Sequence, residues 1–131
     1  MNNETFQKFL DSRCISCSDE QVKQLEELMR STLKTNEVFN LTAITEPSAF
    51  MEKMLLDSAL GLFDIDLTDK KVIDIGTGAG FPGLVLYILN PKVKLTLLDS
   101  TKKKINYIKD FVSDHKYNIE CVSDRIEDFA R

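Results

Sequence analysis

A short apolar segment that leads directly into a glycine-rich turn constrains the fold of this chain more than any other feature. Residues 72–75 are rich in β-branched side chains, which is typical of a buried parallel strand. Gly76, Gly78 and Gly80 follow, and Pro82 supplies a preset φ for the first turn of a helix. Such a strand, turn and helix N-terminus present backbone N–H groups and a positive dipole end to a ligand. The segment therefore predicts a ligand site where a parallel strand ends.

The acidic residue inside this segment narrows the choice of ligand. Asp74 precedes the first glycine by two positions, and its carboxylate would repel a pyrophosphate but attract an amino acid ammonium or a ribose hydroxyl. This favours S-adenosylmethionine over a dinucleotide. An alternative stays open, because residues 78–83 also fit the G-x-G-x-x-G pattern of nicotinamide-dependent oxidoreductases.

Length and composition limit the class of protein. A chain of 131 residues is one domain, or one domain with a short extension. It has no apolar run of membrane-spanning length and residues 1–15 lack a signal-peptide layout, so we expect a cytoplasmic location. Cys14 and Cys17 have C-x-x-C spacing without a second pair or a nearby histidine, so no metal site is expected.

The hydrophobic periodicity changes once along the chain. Residues 1–65 are predicted to form a helical extension, with Ser18 and Gln21 as a capping box and a further helix beginning at Pro47. From residue 66 to 131 the pattern alternates between strands and helices. The predicted strands, at residues 72–75, 94–98 and 118–122, form the first half of a doubly wound α/β sheet in the order 3-2-1.

Acidic residues follow the second and third predicted strands. Asp99 comes 23 residues after Gly76, the spacing at which nucleotide-binding proteins place an acid against ribose hydroxyls. A helix-capping role is the alternative for this aspartate. After the third strand, residues 124–127 offer acceptors for an adenine amino group or form a solvated helical turn.

Residues 102–104, three successive lysines, form the one basic cluster evident in the sequence. They lie at a predicted helix N-terminus, where the helix dipole disfavours cations. Contact with nucleic acid phosphates and a solvated helix face are both compatible with this position. A non-enzymatic RNA-binding module is therefore a further alternative. The single histidine, His115, is predicted to pack at a helix end, and no residue resembles a nucleophile with its base.

Several short motifs occur together and in a fixed order. They are Asn40-Leu41-Thr42, Leu56-Asp57-Ser58, the run from Asp74 to Gly83, Leu97-Leu98-Asp99-Ser100, and Arg125-Ile126-Glu127-Asp128-Phe129. With these motifs the chain resembles the bacterial 16S ribosomal RNA guanine-N7 methyltransferases, the glucose-inhibited division protein B family. The resemblance covers essentially the whole chain.

The resemblance implies a Rossmann-like class I methyltransferase with an N-terminal helical extension. Such an enzyme uses S-adenosylmethionine to methylate N7 of a guanine in the 16S ribosomal RNA of the small ribosomal subunit. Carried over by position, Gly76, Phe81, Ile126 and Glu127 would bind the cofactor. The glycine turn and the strand spacing add Gly78 and Asp99 to the predicted cofactor-binding residues. Family members contain further strands, so we expect this sequence to be an N-terminal part of such a protein and to be inactive alone. We also expect it to self-associate through the open edge of its first strand.

Overall fold

Three parallel strands form the centre of the fold. The computed structural model describes residues 3–12, 16–37, 49, 57–60 and 65–129. Within these residues the elements are α1 (Asn3–Ser12), α2 (Asp19–Asn36), α3 (Asp57–Leu60), β1 (Lys71–Ile75), α4 (Gly83–Leu89), β2 (Lys94–Asp99), α5 (Lys102–Asp114), β3 (Glu120–Ser123) and α6 (Ile126–Phe129).

The sheet has the predicted parallel order, with β2 between β1 and β3. Ile75 lies beside Leu98 in the register, and Asp99 lies beside Ser123, so all three strands end at the same edge. The Rossmann-like α/β fold with a preceding helix is thus confirmed. The third strand begins two residues later than predicted, at Glu120, because the N–H of Asn118 donates to the Tyr87 hydroxyl at 2.9 Å instead of entering the sheet.

One face of the sheet carries the core. Fully buried side chains of α2, α4, β2 and α5 pack there, among them Leu25, Leu28, Leu84, Leu97, Ile105 and Ile108. The opposite face of β1 differs from the prediction of a buried strand, since Ile73 and Ile75 are 38% and 55% exposed. Within the described part of the chain, β1 pairs only with β2, and so it is an edge strand.

Helix α2 begins as its sequence predicts. The Gln21 N–H donates to the Ser18 hydroxyl at 3.1 Å, and the Ser18 N–H donates to the Gln21 side chain at 2.9 Å. This capping box satisfies N–H groups that the first helical turn leaves without partners. Side chains spaced three or four residues apart along α2 are buried at Val22, Leu25, Leu28, Met29 and Thr32, and Leu33 packs partly against the core.

Polar contacts fasten α2 to the helices that cover the sheet. The Gln21 amide donates to the carbonyls of Ile88 and Leu89 at the end of α4, both at 3.2 Å. The Ser31 and Tyr107 hydroxyls are 2.9 Å apart, which links α2 to α5. Helix α2 is therefore packed against the strand–helix part of the chain.

Some predictions fall on residues outside the described ranges. Pro47, the start of the predicted third helix, and Cys14 of the C-x-x-C pair are among them. The division of the chain at residue 65 stays a prediction.

Candidate cofactor site

The glycine turn between β1 and α4 has the conformation that its composition predicts. Gly76 and Gly78 have φ values of 69° and 58°, a region that residues with a Cβ rarely adopt. Gly83 is required for a different reason, because a Cβ there would overlap the side chain of Leu97 and crowd that of Asp74. Helix α4 begins at Gly83, so Pro82 occupies the N-cap position and not the predicted first turn.

The backbone N–H groups of this turn are directed into the protein. Gly76 and Thr77 donate to the Leu98 carbonyl at 2.8 and 3.1 Å, and Gly80 and Phe81 donate to the Thr77 carbonyl. The N–H groups of Gly78 and Gly83 donate to carboxylates. Among residues 76–83, only Ala79 and Pro82 do not donate a hydrogen bond of this kind, and Pro82 has no N–H. A bound pyrophosphate would therefore find few donors here.

Asp74 spans the turn from the end of β1. Its Oδ2 accepts the Thr77 hydroxyl at 2.7 Å and the Gly83 N–H at 3.0 Å. Burial raises the pKa of Asp74 against the effect of these two hydrogen bonds, and the charge of Asp99 adds to the increase. The sequence predicts that the Asp74 carboxylate faces a ligand. In the structure, one oxygen of this carboxylate connects the turn to the start of α4.

Asp99 joins the turn to the end of β2. Its Oδ2 accepts the Gly78 N–H, and its Oδ1 accepts the Thr101 N–H, both at 2.8 Å. Burial alone would raise the pKa of Asp99, but the Thr101 and Gly78 donors and the nearby Lys104 charge lower it overall. The Thr101 side chain is a third donor, and because the two carboxylate oxygens together have four lone pairs, the carboxylate retains capacity for a further donor.

These bonds bear on the capping alternative for Asp99. Thr101 is the N-cap of α5, yet its side chain makes no capping hydrogen bond. Asp99 therefore accepts from the N-terminal backbone of α5 in addition to binding Gly78. A capping role and a ligand-binding role are compatible in the same side chain.

A cleft of about 380 Å³ opens where the three strands end. It is lined by Ile75, Gly76, Leu98, Asp99, Ser100, Asp124, Arg125, Ile126 and Glu127. Extra atoms at Gly76 or Gly78 would meet nothing within 4 Å, so the turn leaves open space at both positions. The exposed apolar side chains of Ile75 and Ile126 stand beside carboxylates, a combination suited to a nucleoside with hydroxyl and amino groups.

The predicted site residues divide into two groups. Gly76, Asp99, Ile126 and Glu127 come together in the cleft. Gly78 and Phe81 do not line it, because Gly78 is bonded to Asp99 and Phe81 is only 9% exposed in the core. The sequence interpretation missed Ile75 and Leu98, although Ile75 directly precedes the glycine turn and Leu98 directly precedes Asp99.

The remaining candidates lie outside the cleft. Lys102 and Lys103 are exposed on the first turn of α5, and Lys104 contributes to the low pKa of Asp99. His115 ends α5 and packs against Phe111, with its Nε2 3.0 Å from a Glu27 oxygen. Within the described residues there is no cluster of potential metal ligands. Over the same residues, no helix combines the length and apolar character needed to cross a membrane.

The parallel 3-2-1 sheet, the glycine turn and the acid at the end of β2 define a Rossmann-like α/β protein. Comparison with known proteins narrows the class to one family. Residues 21–131 match the family model described as rRNA small subunit methyltransferase G, and the chain belongs to this family.

Curated relatives carry the same description. Ribosomal RNA small subunit methyltransferase G of Trichodesmium erythraeum is 43% identical over 119 residues, which are 86% of this chain and 47% of that protein. The protein of that name from Mycoplasma mycoides is 39% identical over 92% of this chain and 88% of its own length. That from Leuconostoc mesenteroides is 38% identical over 100% of this chain and 56% of its own length. The chain thus spans about half the length of the Trichodesmium and Leuconostoc relatives.

Proposed function

We propose that this protein acts as an S-adenosylmethionine-dependent methyltransferase that modifies N7 of a guanine in 16S ribosomal RNA. The family relationship supports methylation of small-subunit ribosomal RNA. The guanine N7 target comes from the resemblance of the motifs. We also propose a cytoplasmic location, since ribosomal RNA is the proposed substrate.

The direction of the turn N–H groups is the observation that carries the cofactor proposal. A dinucleotide pyrophosphate requires such N–H groups as donors. Here they are used by Leu98, Thr77, Asp74 and Asp99, and the two aspartates add negative charge. That arrangement disfavours the nicotinamide oxidoreductase and suits a ligand whose own hydroxyl and ammonium groups act as donors.

The residues of the cleft fit the nucleoside part of S-adenosylmethionine. Asp99 lines the cleft and keeps acceptor capacity for a ribose hydroxyl. We assign the adenine to the apolar surface formed by the exposed side chains of Ile75 and Ile126, with Glu127 as an acceptor for its amino group. We retain Gly76, Gly78 and Phe81 as proposed site residues, with Gly78 and Phe81 acting by shaping the turn.

The proposed chemistry places modest demands on this chain. The cofactor supplies an activated methyl group on a sulfonium, and guanine N7 already carries a nucleophilic lone pair. The protein must therefore orient the two reactants and exclude water, which needs no strong general base. The backbone bonds around Asp74 and Asp99 hold the turn that would position the nucleoside.

The decisive experiment combines binding and transfer assays on the full-length protein. Calorimetric titration with S-adenosylmethionine and with NAD compares the two cofactors. Transfer of labelled methyl groups to small ribosomal subunits and to 16S ribosomal RNA then measures activity, and chemical cleavage at 7-methylguanine identifies the target. Binding of NAD alone would contradict the proposal. RNA binding without any S-adenosylmethionine binding would favour the non-enzymatic module.

We further propose that a second copy of the chain pairs with β1 in the 131-residue protein. Within the described residues, one edge of β1 has no strand partner and Ile73 and Ile75 are exposed beside it. Two such edges can pair symmetrically. Light scattering is expected to report a dimer for the 131-residue chain and a monomer for its Ile73→Lys/Ile75→Lys variant. A monodisperse monomer for the unmodified chain would contradict self-association.

A further inference from the structure

A second lysine cluster forms at the opposite end of the sheet from the cofactor cleft. Lys71 begins β1 and directly follows Lys70, and Lys94 begins β2 two residues after Lys92. The two pairs are about twenty residues apart in the sequence, but the parallel register places Lys71 directly beside Lys94. This basic edge, defined as Lys70, Lys71, Lys92 and Lys94, is exposed to solvent.

Backbone hydrogen bonds fix the geometry of the basic edge. The Asp69 N–H donates to the Lys92 carbonyl, and the Lys94 N–H donates to the Lys70 carbonyl, both at 2.9 Å. The two lysine pairs are therefore held together by the rigid start of the sheet, and only their side chains remain adaptable.

The charges of the basic edge are not neutralised by ion pairs. Within the described residues, none of the four ammonium groups forms a salt bridge. Asp66 accepts the Thr68 N–H, and its pKa is lowered first by the Thr68 hydrogen bonds and then by the charges of Lys70 and Lys92, so it offsets part of that charge without direct contact. Glu120 accepts from Thr96, and Asp69 makes no ion pair either. Like charges directly opposite each other on neighbouring strands are destabilising. An unfavourable arrangement held this rigidly is typical of a site that binds an external partner.

We propose that the basic edge binds the phosphate backbone of RNA. This inference rests on the proposed function of the protein. The chain carries a net charge of −4, so attraction of a polyanion depends on a local cluster of this kind. Both strands that carry the lysines also lead into the cleft. The five residues of β1 place Lys71 roughly 16 Å from Gly76. An RNA substrate contacting both ends of the sheet would be held in register with the cleft, because phosphate contacts position a nucleic acid.

The test measures RNA binding as a function of salt concentration. The Lys71→Gln/Lys94→Gln variant removes the two neighbouring lysines, and Lys70→Gln/Lys92→Gln removes the other two. The matched control, Lys23→Gln/Lys34→Gln, removes the same charge from exposed positions on α2. Binding of labelled 16S ribosomal RNA to the full-length protein is measured over a series of KCl concentrations. S-adenosylmethionine affinity is measured in parallel by calorimetry.

Each phosphate contact contributes about 0.7–0.9 to the slope of log affinity against log salt concentration. We expect each basic-edge variant to lower that slope by roughly 1.5 and to bind RNA roughly 3–10-fold more weakly than wild type at moderate salt. The α2 control should change the slope far less, and S-adenosylmethionine affinity should stay constant in all variants.

The outcomes separate this proposal from the proposed function. If the protein transfers methyl groups and the basic-edge and control variants have equal salt slopes, the basic edge does not bind RNA, and the proposed methyltransferase function still holds. If the basic-edge variants have reduced salt slopes but the protein transfers no methyl groups, RNA binding by the basic edge is supported and the proposed enzymatic function is wrong. Binding of the same variants to vesicles that contain anionic lipid is also measured. Weaker vesicle binding of the basic-edge variants, with unchanged RNA binding, would contradict the proposal that the basic edge binds RNA.

Discussion

The N–H of Gly78 donates to the carboxylate of Asp99 at 2.8 Å, which joins the turn after β1 to the end of β2. The same carboxylate accepts the Thr101 N–H at 2.8 Å and so also fixes the start of α5. One side chain therefore couples the glycine turn, the central strand and the following helix. Any ligand that binds to Asp99 meets an acceptor that these backbone groups have already oriented.

Replacement of Asp99 by alanine should weaken S-adenosylmethionine binding. In this variant the Gly78 and Thr101 N–H groups lose their acceptor. The ribose hydroxyls of the cofactor lose a charged acceptor as well. We expect a loss of about 1–3 kcal/mol in binding free energy, measured by calorimetry on the full-length protein. Asp110→Ala, an exposed aspartate on α5, is the control and should bind normally. An unchanged affinity for the Asp99 variant would remove this residue from the site.

Asp74 and Asp99 should give stability opposite dependences on pH. Burial raises the pKa of Asp74 above 3.8, so its contribution to folding is present below that pH and is lost as pH rises through the folded-state pKa. Asp99 is also partly buried, but its backbone donors lower its pKa below 3.8. Its contribution is therefore present above that pH and is lost as pH falls through the folded-state pKa.

Two asparagine variants separate these contributions. Denaturant unfolding of Asp74→Asn and Asp99→Asn is measured across the acidic range and compared with wild type. Relative to wild type, Asp99→Asn should lose less stability on acidification, whereas Asp74→Asn should lose more. Parallel pH profiles for the three proteins would contradict the assigned pKa directions.

Much of the fold follows from local patterns. The capping box at Ser18 and Gln21, the strand–turn–helix around Gly76 and the break of α4 at Asn90 each depend on a few adjacent residues. The alternating strands and helices then allow few topologies, and right-handed crossovers lead to the observed order.

The features that escaped prediction depend on residues far apart in the chain. The basic edge exists only because Lys71 and Lys94 share a register, and no local pattern encodes that pairing. The late start of β3 depends on a hydrogen bond from Asn118 to Tyr87. Within the site, the acid at Asp99 was predictable from its spacing. The inward direction of the turn N–H groups was not, because their acceptors lie on β1, on β2 and on the turn itself.

Gln21 has two roles that one substitution can separate. Its side-chain oxygen accepts the Ser18 N–H, while its amide donates to the Ile88 and Leu89 carbonyls. Gln21→Glu keeps the acceptor but loses the donor, and it places a negative charge at the C-terminal end of α4. We expect Gln21→Glu to lower the free energy of unfolding by about 1–2 kcal/mol in urea denaturation.

Gln24→Glu is the matched control for Gln21→Glu. It adds the same charge on the same helix without losing a contact of this kind, so it should change stability by no more than about 0.5 kcal/mol. Wild-type stability for Gln21→Glu would mean that the capping box alone matters and that the contact with α4 contributes nothing.

Tyr117 and Tyr87 form a matched pair for testing the cost of a buried hydroxyl. The Tyr117 hydroxyl is buried without a hydrogen-bond partner among the described residues, whereas the Tyr87 hydroxyl accepts the Asn118 N–H at 2.9 Å. Tyr117→Phe should therefore leave stability unchanged or raise it by up to about 1 kcal/mol, and Tyr87→Phe should lower it by about 0.5–1.5 kcal/mol. Thermal and urea unfolding measure both changes.

The same tyrosine should make the wild-type protein sensitive to alkaline pH. Burial, with the charges of Glu27, Tyr87 and Glu20, raises the pKa of Tyr117 from 10.0 to about 12. The unfolded chain therefore loses this proton at lower pH than the folded protein. The stabilising contribution is fully present below pH 10.0 and is lost as pH rises toward about 12. The stability of Tyr117→Phe relative to wild type should increase across that range, and a constant difference would contradict the assigned cause.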